Sequence, residues 1–466
     1  MLLTGGWARL ARRWLAGLLL LILSAAAAIA VALQVTPLQR VVVAGQMIEV
    51  GASAPDLSLS GPGEVDLFGQ ALPTDQRFTG PVRPRLQLSQ ITINSELTTF
   101  VEGNHLAGAQ RRLGASLASG WKSYFAWETV IAGAGALVLV GAVAGWRRHG
   151  LRSTLQLLAA GLVVTEAINL GAIMITAYSA PAVLRQVHSL SALVGSQSHP
   201  PPIRPAGRPL PGVQAVVMGD STAAGAGLTP VPGASTSARA CGRSADSYAA
   251  DLSAADGWKV LNLACDGATI TNGILGSQIH DGQRLPPQLA VEEQAKNAQV
   301  IIVSVGADDL DWAAQVRYCA IAAHCDDRAT TAYFQQQLAS FSKNYLDLLS
   351  RLAALPSHPQ VLINRYYDPF GSQPGCLSQV GLTAANLATL TSRLNTLNDV
   401  LASGAAQFGF SAPQPDFAGH QMCTQQPYVQ GVDAAAPFHP TVEGQLAIAL
   451  ADQAALHAPG ATAPGA

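Results

Sequence analysis

Three long apolar stretches constrain this chain most, because each is long enough to cross a lipid bilayer as a helix. The first, residues 14–33, reads "WLAGLLLLILSAAAAIAVAL" and carries no charge. The residues just before it include three arginines: Arg9, Arg12 and Arg13. Two further apolar stretches, 129–146 and 155–178, flank the basic segment "RRHGLR" at 147–152. This pattern predicts one membrane helix near the N-terminus and a membrane hairpin further on.

The basic residues also predict the orientation of these helices. Lysine and arginine are retained on the cytoplasmic side, so the N-terminus and the 147–152 connector are expected inside. Residues 34–127 and those after about residue 180 are then outside. A cleaved signal peptide is the alternative for the first stretch, although its apolar run exceeds the roughly 7 to 15 residues usual for such a signal. Both interpretations place residues 34–127 outside the cytoplasm.

The composition agrees with a membrane protein, since 49% of the residues are hydrophobic and only 12% are charged. Lysine and arginine total 27 against 29 acidic residues, which gives a net charge of −2. Such a balance provides no basic face of the kind that binds nucleic acid. We therefore expect the membrane as a partner and no nucleic acid.

The cysteines all lie in the C-terminal half, which favours an oxidising compartment. They are Cys241, Cys265, Cys319, Cys325, Cys376 and Cys423. Several pairings are open, and the short loop between Cys319 and Cys325 is the easiest to close. No cysteine stands at zinc-ligand spacing, and four histidines also lack metal-ligand spacing from one another: His280, His324, His420 and His457. We expect neither a metal nor a cofactor.

The first exported segment, residues 36–127, is expected to form a small β-rich module. Residues 85–94, "RLQLSQITIN", alternate as a strand does, whereas 58–66, "SLSGPGEVD", are rich in turn residues. Leucines and aromatics at helical spacing in 111–128 predict an interfacial helix that continues into the second membrane helix. Its aromatic residues are expected to be membrane-surface anchors rather than a ligand site: Trp121, Tyr124 and Trp127.

Two polar residues, Glu166 and Asn169, lie inside the third apolar stretch. An ionisable group in a membrane helix is costly and suggests function. The two positions share one helix face, however, so contacts with the other membrane helices are favoured over a transport or relay role.

A Pro/Gly-rich linker, residues 181–212, precedes a region in which apolar strands alternate with helical patterns. The predicted strands are 213–219, 259–264, 300–306, 360–366 and 408–412. Alternation of this kind predicts a parallel sheet covered by helices, in which reactive groups gather beyond the carboxyl ends of the strands.

Four segments place chemically useful residues at these strand ends. Ser221 in "VVMGDSTAAGAG" ends the first strand, and Gly267 in "NLACDGAT" follows the second. Asp308 in "SVGADDLDW" follows the third, and His439 in "PFHPTVEGQ" precedes the last helix. A helix cap is the alternative role for Ser221.

The order of these four segments resembles that of the SGNH (GDSL-type) hydrolases, over about residues 213–457. The resemblance implies a flavodoxin-like, three-layer α/β/α domain with Ser221 as nucleophile, Gly267 as oxyanion-hole glycine and His439 as general base. A serine hydroxyl is a weak nucleophile until a histidine removes its proton, and the resulting oxyanion needs hydrogen-bond donors.

The cysteine spacing is similar to that of secreted actinobacterial lipases of this family, which implies an actinobacterial member. Its anchoring in the membrane follows from the three apolar stretches. The disulfide pairs implied by this similarity are Cys241–Cys265, Cys319–Cys325 and Cys376–Cys423.

The segment around the histidine departs from the family pattern. The usual aspartate three residues before the histidine is Ala436 here, whereas Asp433 lies six residues before it. Some family members orient the histidine with a backbone carbonyl instead. Asp433 is therefore only a possible third member of a triad.

The family asparagine is also replaced, by Asp308. An ionised carboxylate donates no hydrogen bond, and losing one oxyanion donor costs about 2.7 to 4 kcal/mol. Three outcomes are open: Asp308 is protonated through burial beside acids such as Asp309 and Asp311, it is turned away, or catalysis has lapsed.

The sequence thus predicts a membrane-anchored, extracytoplasmic serine esterase that acts on an ester of a lipid, an envelope glycan or a small alcohol. The alternatives are an O-acyltransferase that acts on an envelope glycan or lipid, and a catalytically lapsed envelope binding protein. The expected domains are a membrane helix at 1–35, the β-rich module at 36–127, a membrane hairpin at 128–180, the linker at 181–212 and the hydrolase domain at 213–460.

Overall fold

The computed structural model divides the chain into two compact units, with the main boundary between Gly195 and Ser196. The described residues are 4–43, 46–53, 58, 60–90, 106–148, 150–184, 210, 212–292, 295, 298–371 and 374–458. Most of the predicted 181–212 linker, and residues 91–94 of the predicted 85–94 strand, lie outside them.

The first unit combines three long helices with a five-stranded sheet. Its elements are α1 (Thr4–Val35), β1 (Gln39–Val43), β2 (Gln46–Ala52), β3 (Ser60–Leu67), β4 (Gln70–Thr79), β5 (Pro84–Gln90), α2 (Leu106–Trp146) and α3 (Leu151–Leu184). The strand order is β1-β2-β5-β3-β4, with β3 parallel to β5 and with β1–β2 and β2–β5 antiparallel. The β-rich region predicted from the sequence is present between α1 and α2.

All three helices contain segments long and apolar enough to cross a membrane. These segments are Gly17–Val35, Ser119–Trp146 and Leu151–Ile175. The predicted interfacial helix at 111–128 is no separate element, because it is continuous with the rest of α2.

Two expectations for this unit were wrong. The turn-rich segment 58–66 contributes most of β3, where a Cβ on Gly63 would lie 2.8 Å from the carbonyl oxygen of Pro84 in β5. The glycine therefore serves close packing rather than a turn. Trp121 and Tyr124 are buried instead of anchoring at a membrane surface, and their polar atoms donate to the carbonyl oxygens of Gly51 (3.0 Å) and Leu33 (3.1 Å). Trp127 is exposed.

Asn169 joins α3 to α2, as the helix-packing interpretation predicts. Its Nδ2 donates to Oε2 of the buried Glu128 at 2.7 Å and lies 3.3 Å from the hydroxyl oxygen of Thr129. Hydrogen bonds of this kind hold apolar helices together where lipid offers no polar partner.

The second unit carries the predicted parallel sheet. Its helices are α4 (Ser221–Ala224), α5 (Thr236–Ala240), α6 (Tyr248–Asp256), α7 (Gln288–Glu292), α8 (Trp312–Ile321), α9 (Arg328–Ala353), α10 (Ala384–Gln407) and α11 (Val442–Leu456), with a 3₁₀ helix at Gly375–Val380. Its strands are β6 (Ala215–Gly219), β7 (Val260–Asn262), β8 (Gln278–His280), β9 (Gln283–Leu285), β10 (Val300–Ser304) and β11 (Gln360–Ile363).

The sheet has the order β11-β10-β6-β7, and every neighbouring pair is parallel, which confirms the predicted fold class. The predicted fifth strand, 408–412, is reduced to a single parallel bridge between Ser411 and Leu362. The reason lies in α10, which runs to Gln407 and uses the N–H of Phe408 to close its last turn. Pairing with β11 therefore begins only at Ser411, whose N–H donates to the carbonyl oxygen of Val361 at 3.1 Å.

The helices α6 and α11 pack together on one side of this sheet, and α9 packs with α10. Alternate strand residues face the first pair: Val217 and Ile302 share a buried cluster with Leu252 of α6 and Ile448 of α11. Because side chains alternate between the two faces of a strand, one face of these continuously apolar strands builds the core with this helix pair.

The structure pairs the cysteines as the resemblance implies. The bridges are Cys241–Cys265, Cys319–Cys325 and Cys376–Cys423, with Cα atoms 4.2, 5.0 and 5.5 Å apart. Disulfides of this kind typically contribute about 2 to 4 kcal/mol each.

Candidate active site

Ser221 begins a one-turn helix directly after β6. Gly219 adopts a φ of +152°, and a Cβ there would clash with the carbonyl oxygen of Ser304. The helix cap is Asp220, whose Oδ1 accepts the N–H of Thr222 at 2.9 Å. Because Asp220 fills the capping role, the hydroxyl of Ser221 is left for another partner.

That partner is His439. Its Nε2 lies 2.7 Å from Oγ of Ser221, although 218 positions separate the two residues. Its Nδ1 lies 3.1 Å from the carbonyl oxygen of Pro437. Asp433 is exposed, and no hydrogen bond joins it to His439 within the described residues. The hydrogen-bond acceptor for Nδ1 is therefore a main-chain carbonyl, whereas the sequence suggested Asp433 for this position.

Gly267 stands in the turn that follows β7, the strand beside β6 in the sheet. The N–H of Cys265 donates to the carbonyl oxygen of Gly219 at 3.0 Å, which ties this turn to the end of β6. Gly267 has a φ of +69°, a conformation that favours glycine. In the described part of the chain, the N–H groups of Ser221 and Gly267 donate to no other protein group. Both are available to an oxygen atom of a substrate.

Asp308 lies in the loop after β10 and is half-buried. Its Oδ2 is buried and meets no hydrogen-bond partner among the described residues. Burial, the largest cause, raises the pKa of Asp308 from 3.8 to about 8 together with the neighbouring acids Asp220, Asp266, Asp309 and Asp311. At neutral pH this carboxyl is therefore mostly protonated and able to donate a hydrogen bond.

The neighbouring Asp309 has a different function in the same loop. Its Oδ1 accepts the N–H of Ile270 at 3.1 Å, so it connects the Asp308 loop to the turn of Gly267. Burial raises the pKa of Asp309 to about 7, although the hydrogen bond from Ile270 opposes the increase.

Two tyrosines at the end of β11 belong to the site and were missed by the sequence reasoning. The hydroxyl of Tyr366 donates to Oδ2 of Asp220 at 2.5 Å, and that of Tyr367 donates to the carbonyl oxygen of Phe438 at 2.9 Å. Burial raises the pKa of Asp220 to about 6, against the effect of the Tyr366 hydrogen bond. The signal that could have identified both tyrosines is their place just beyond the carboxyl end of a parallel strand.

The described residues offer no metal centre. Among them, no group of three or more His, Cys, Asp or Glu side chains is arranged to hold a metal ion.

Comparisons with known proteins concern this second unit. Residues 217–447 match the sequence profile of the GDSL-like Lipase/Acylhydrolase family. A lipase of Streptomyces rimosus is 27% identical over 241 residues, which cover 49% of this chain and 81% of the relative. The crystal structure of an extracellular lipase from Streptomyces rimosus matches with 21% identity and a TM-score of 0.45, covering 52% of this chain and 99% of that one. A phospholipase A1 from Streptomyces albidoflavus NA297 matches with 19% identity and a TM-score of 0.43 over the same shares.

Proposed function

Because residues 217–447 belong to the GDSL-like lipase/acylhydrolase family, we propose that the chain is a membrane-anchored serine esterase that acts through an acyl-serine intermediate. One observation carries this proposal: Oγ of Ser221 lies 2.7 Å from Nε2 of His439. Hydroxyl and imidazole at this distance form the nucleophile and general base of acyl transfer.

The reaction follows from this geometry. Nε2 of His439 takes the hydroxyl proton while Oγ of Ser221 attacks the ester carbonyl carbon, and the carbonyl oxygen becomes an oxyanion. The imidazolium then gives its proton to the oxygen of the leaving alcohol as the C–O bond breaks. In the second half, His439 takes a proton from water while the water oxygen attacks the acyl carbon. The bond between that carbon and Oγ of Ser221 then breaks, the proton passes from His439 to Oγ, and the carboxylic acid is released.

The oxyanion has three donors in this proposal. Two are the N–H groups of Ser221 and Gly267, which meet no other acceptor among the described residues. The third is the protonated carboxyl of Asp308, whose Oδ2 is buried without a partner in the described part of the chain. A neutral acid can occupy the place of an asparagine here because its O–H, like an amide N–H, donates a hydrogen bond.

The catalytic domain is proposed to lie outside the cytoplasm. Three disulfides support this location, because such bonds persist in oxidising compartments. The basic 147–152 connector between two apolar helices supports the same orientation. Alkaline phosphatase fused to the C-terminus should be active in cells, whereas a cytoplasmic domain would leave it inactive.

A fluorophosphonate tests the catalytic part of the proposal. The full chain in detergent, with its disulfides intact, is treated with the reagent and the adduct is located by peptide mass spectrometry. We expect the adduct on Ser221, no adduct in Ser221→Ala and much slower labelling in His439→Ala. A folded wild-type protein that does not react would instead support an envelope binding protein.

The substrate class is tested with nitrophenyl esters of increasing acyl length. We expect turnover of short or medium chains, with water as the acyl acceptor. Release of nitrophenol that rises with added polyol while free acid stays low would identify an acyltransferase instead.

A further inference from the structure

Two consecutive tyrosines contact the residues that directly precede three of the proposed site residues. The hydroxyl of Tyr366 donates to Oδ2 of Asp220 at 2.5 Å and accepts the N–H of Ala307 at 3.0 Å. The hydroxyl of Tyr367 donates to the carbonyl oxygen of Phe438 at 2.9 Å. The site residues that come directly after these three partners in the chain are Ser221, Asp308 and His439.

We propose that the Tyr366–Tyr367 pair is a positioning element that sets the nucleophile, the Asp308 loop and the general base relative to one another. Tyr366 joins the first two, and Tyr367 holds the third. This role rests on the proposed esterase activity, and it assigns a cause to the short distance between Ser221 and His439.

The pair itself is firmly held. Oδ1 of Asn398 in α10 accepts the N–H of Tyr366 at 2.8 Å, and Nδ2 of the same side chain donates to the carbonyl oxygen of Tyr366 at 2.8 Å. The ring of Tyr367 stacks on that of Phe417, with centroids 4.4 Å apart. Both tyrosines are 7% exposed. Because this dipeptide is held in place, its two hydroxyls can keep their hydrogen-bond partners at fixed distances from one another.

The segments that carry the site residues cannot hold themselves in place. The helix that begins at Ser221 has only four residues, and so short a helix depends on tertiary contacts. Phe438 has a φ of +67°, which is strained for a bulky residue. Its neighbours add support, since the N–H of Gln430 donates to the carbonyl oxygen of His439 at 2.7 Å. The hydrogen bond from Tyr367 fixes the residue at the strained position.

Removal of each hydroxyl tests the pair in the full chain. Tyr366→Phe loses the bond to Asp220 and the acceptor for the N–H of Ala307, and Tyr367→Phe loses the bond to Phe438. We expect kcat on a nitrophenyl ester to fall about tenfold or more in each variant while KM changes less than about threefold, because a displaced group misaligns the reaction more than it weakens binding. The rate of fluorophosphonate labelling should fall with kcat.

Tyr345→Phe is the matched control. Tyr345 is fully buried in α9, and its hydroxyl donates to the carbonyl oxygen of Leu401 at 2.9 Å, so this variant loses a hydrogen bond of the same kind. We expect a comparable fall in Tm with kcat unchanged. If Tyr366→Phe and Tyr367→Phe likewise lower Tm and leave kcat unchanged, the positioning role is wrong.

The two proposals fail in different ways. Wild-type protein that is not labelled at Ser221 contradicts the esterase proposal. Wild-type protein that is labelled, with equal labelling rates in the two tyrosine variants, overturns the positioning role alone. Should Tyr366→Phe not fold, Tyr367→Phe decides, because it removes only one bond to a main-chain carbonyl.

Discussion

Nδ1 of His439 lies 3.1 Å from the carbonyl oxygen of Pro437, two residues earlier in the same loop. A ring N–H donated to this carbonyl fixes the neutral tautomer in which Nε2 is free to accept the proton of Ser221. In a Ser-His-Asp triad an aspartate performs this task. Here the main chain is placed to do so, and we expect catalysis to need no side-chain carboxylate at this position.

Replacing the remaining triad candidate should therefore have little effect. Asp433 is exposed, and its carboxylate has no bond to His439 among the described residues. We expect Asp433→Asn to keep kcat/KM within about threefold of wild type, whereas loss of a true triad aspartate costs about 10⁴-fold in kcat. Steady-state kinetics on a nitrophenyl ester measures this. A fall of a hundredfold or more would assign Asp433 to the catalytic machinery.

Asp308→Asn should change the dependence of activity on pH. The pKa of Asp308 is raised to about 8 by burial, so its protonated fraction falls about tenfold between pH 7 and pH 9. An asparagine amide donates at every pH. We expect the ratio of variant to wild-type kcat/KM to rise about tenfold over this range, and the pH optimum to move upward. Rates measured from pH 6 to pH 10 give both values.

The control for this prediction is Asp311→Asn, which removes an acid from the same loop but leaves the carboxyl of Asp308. The carboxylate of Asp311 accepts the hydroxyl of Tyr333 at 3.0 Å. We expect this variant to lose activity at high pH as the wild type does, with the loss beginning at somewhat lower pH because Asp311 no longer raises the pKa of Asp308. Identical rates and optimum in Asp308→Asn and wild type would remove Asp308 from the oxyanion site.

The sheet and the place of the site could be predicted because both follow from local patterns. Apolar runs alternating with helical patterns predicted parallel strands, and parallel strands bring their carboxyl ends to one edge. Ser221 and Gly267 follow neighbouring strands, so their place at the same edge of the sheet could be predicted without knowing how side chains pack. The parallel order β11-β10-β6-β7 confirms the predicted sheet.

Other features depend on packing and could not be predicted. Tyr366 and Asp220 are 146 positions apart, and their contact spans β10, which lies between β11 and β6 in the sheet. The segment 58–66, which contains Gly63, was interpreted as turn-rich because glycine is typical both of turns and of close approaches between strands. The protonated state expected for Asp308 follows from its burial, which the sequence does not specify.

A double-mutant cycle tests the contact between the membrane helices. Nδ2 of Asn169 donates to Oε2 of Glu128 at 2.7 Å, and both residues are buried. We expect Asn169→Leu and Glu128→Leu, each of which removes one partner of this hydrogen bond, to lower the stability of the full chain in detergent. Their effects should be coupled by about 0.6 to 1.7 kcal/mol, the range for hydrogen bonds between membrane helices. Purely additive losses of stability would show that the two side chains do not interact.

Asp452→Asn should stabilise the second unit increasingly as the pH rises. Asp452 is fully buried in α11, where Nδ2 of Asn364 donates to its Oδ2 at 3.2 Å, and burial raises its pKa from 3.8 to about 8. Between these values the unfolded chain is ionised and the folded chain keeps the proton, so stability is lost with rising pH, at most about 1.4 kcal/mol per pH unit. Above pH 8 both states are ionised and the loss is complete. An asparagine does not ionise, so the difference in Tm between variant and wild type should grow from pH 4 to pH 8 and then level off.

Glu443→Gln is the control, because it removes an exposed acid from the same helix, and its difference in Tm from wild type should not grow with pH. A difference in Tm for Asp452→Asn that stays constant over the whole range would mean that Asp452 titrates in the folded protein as it does in the unfolded chain.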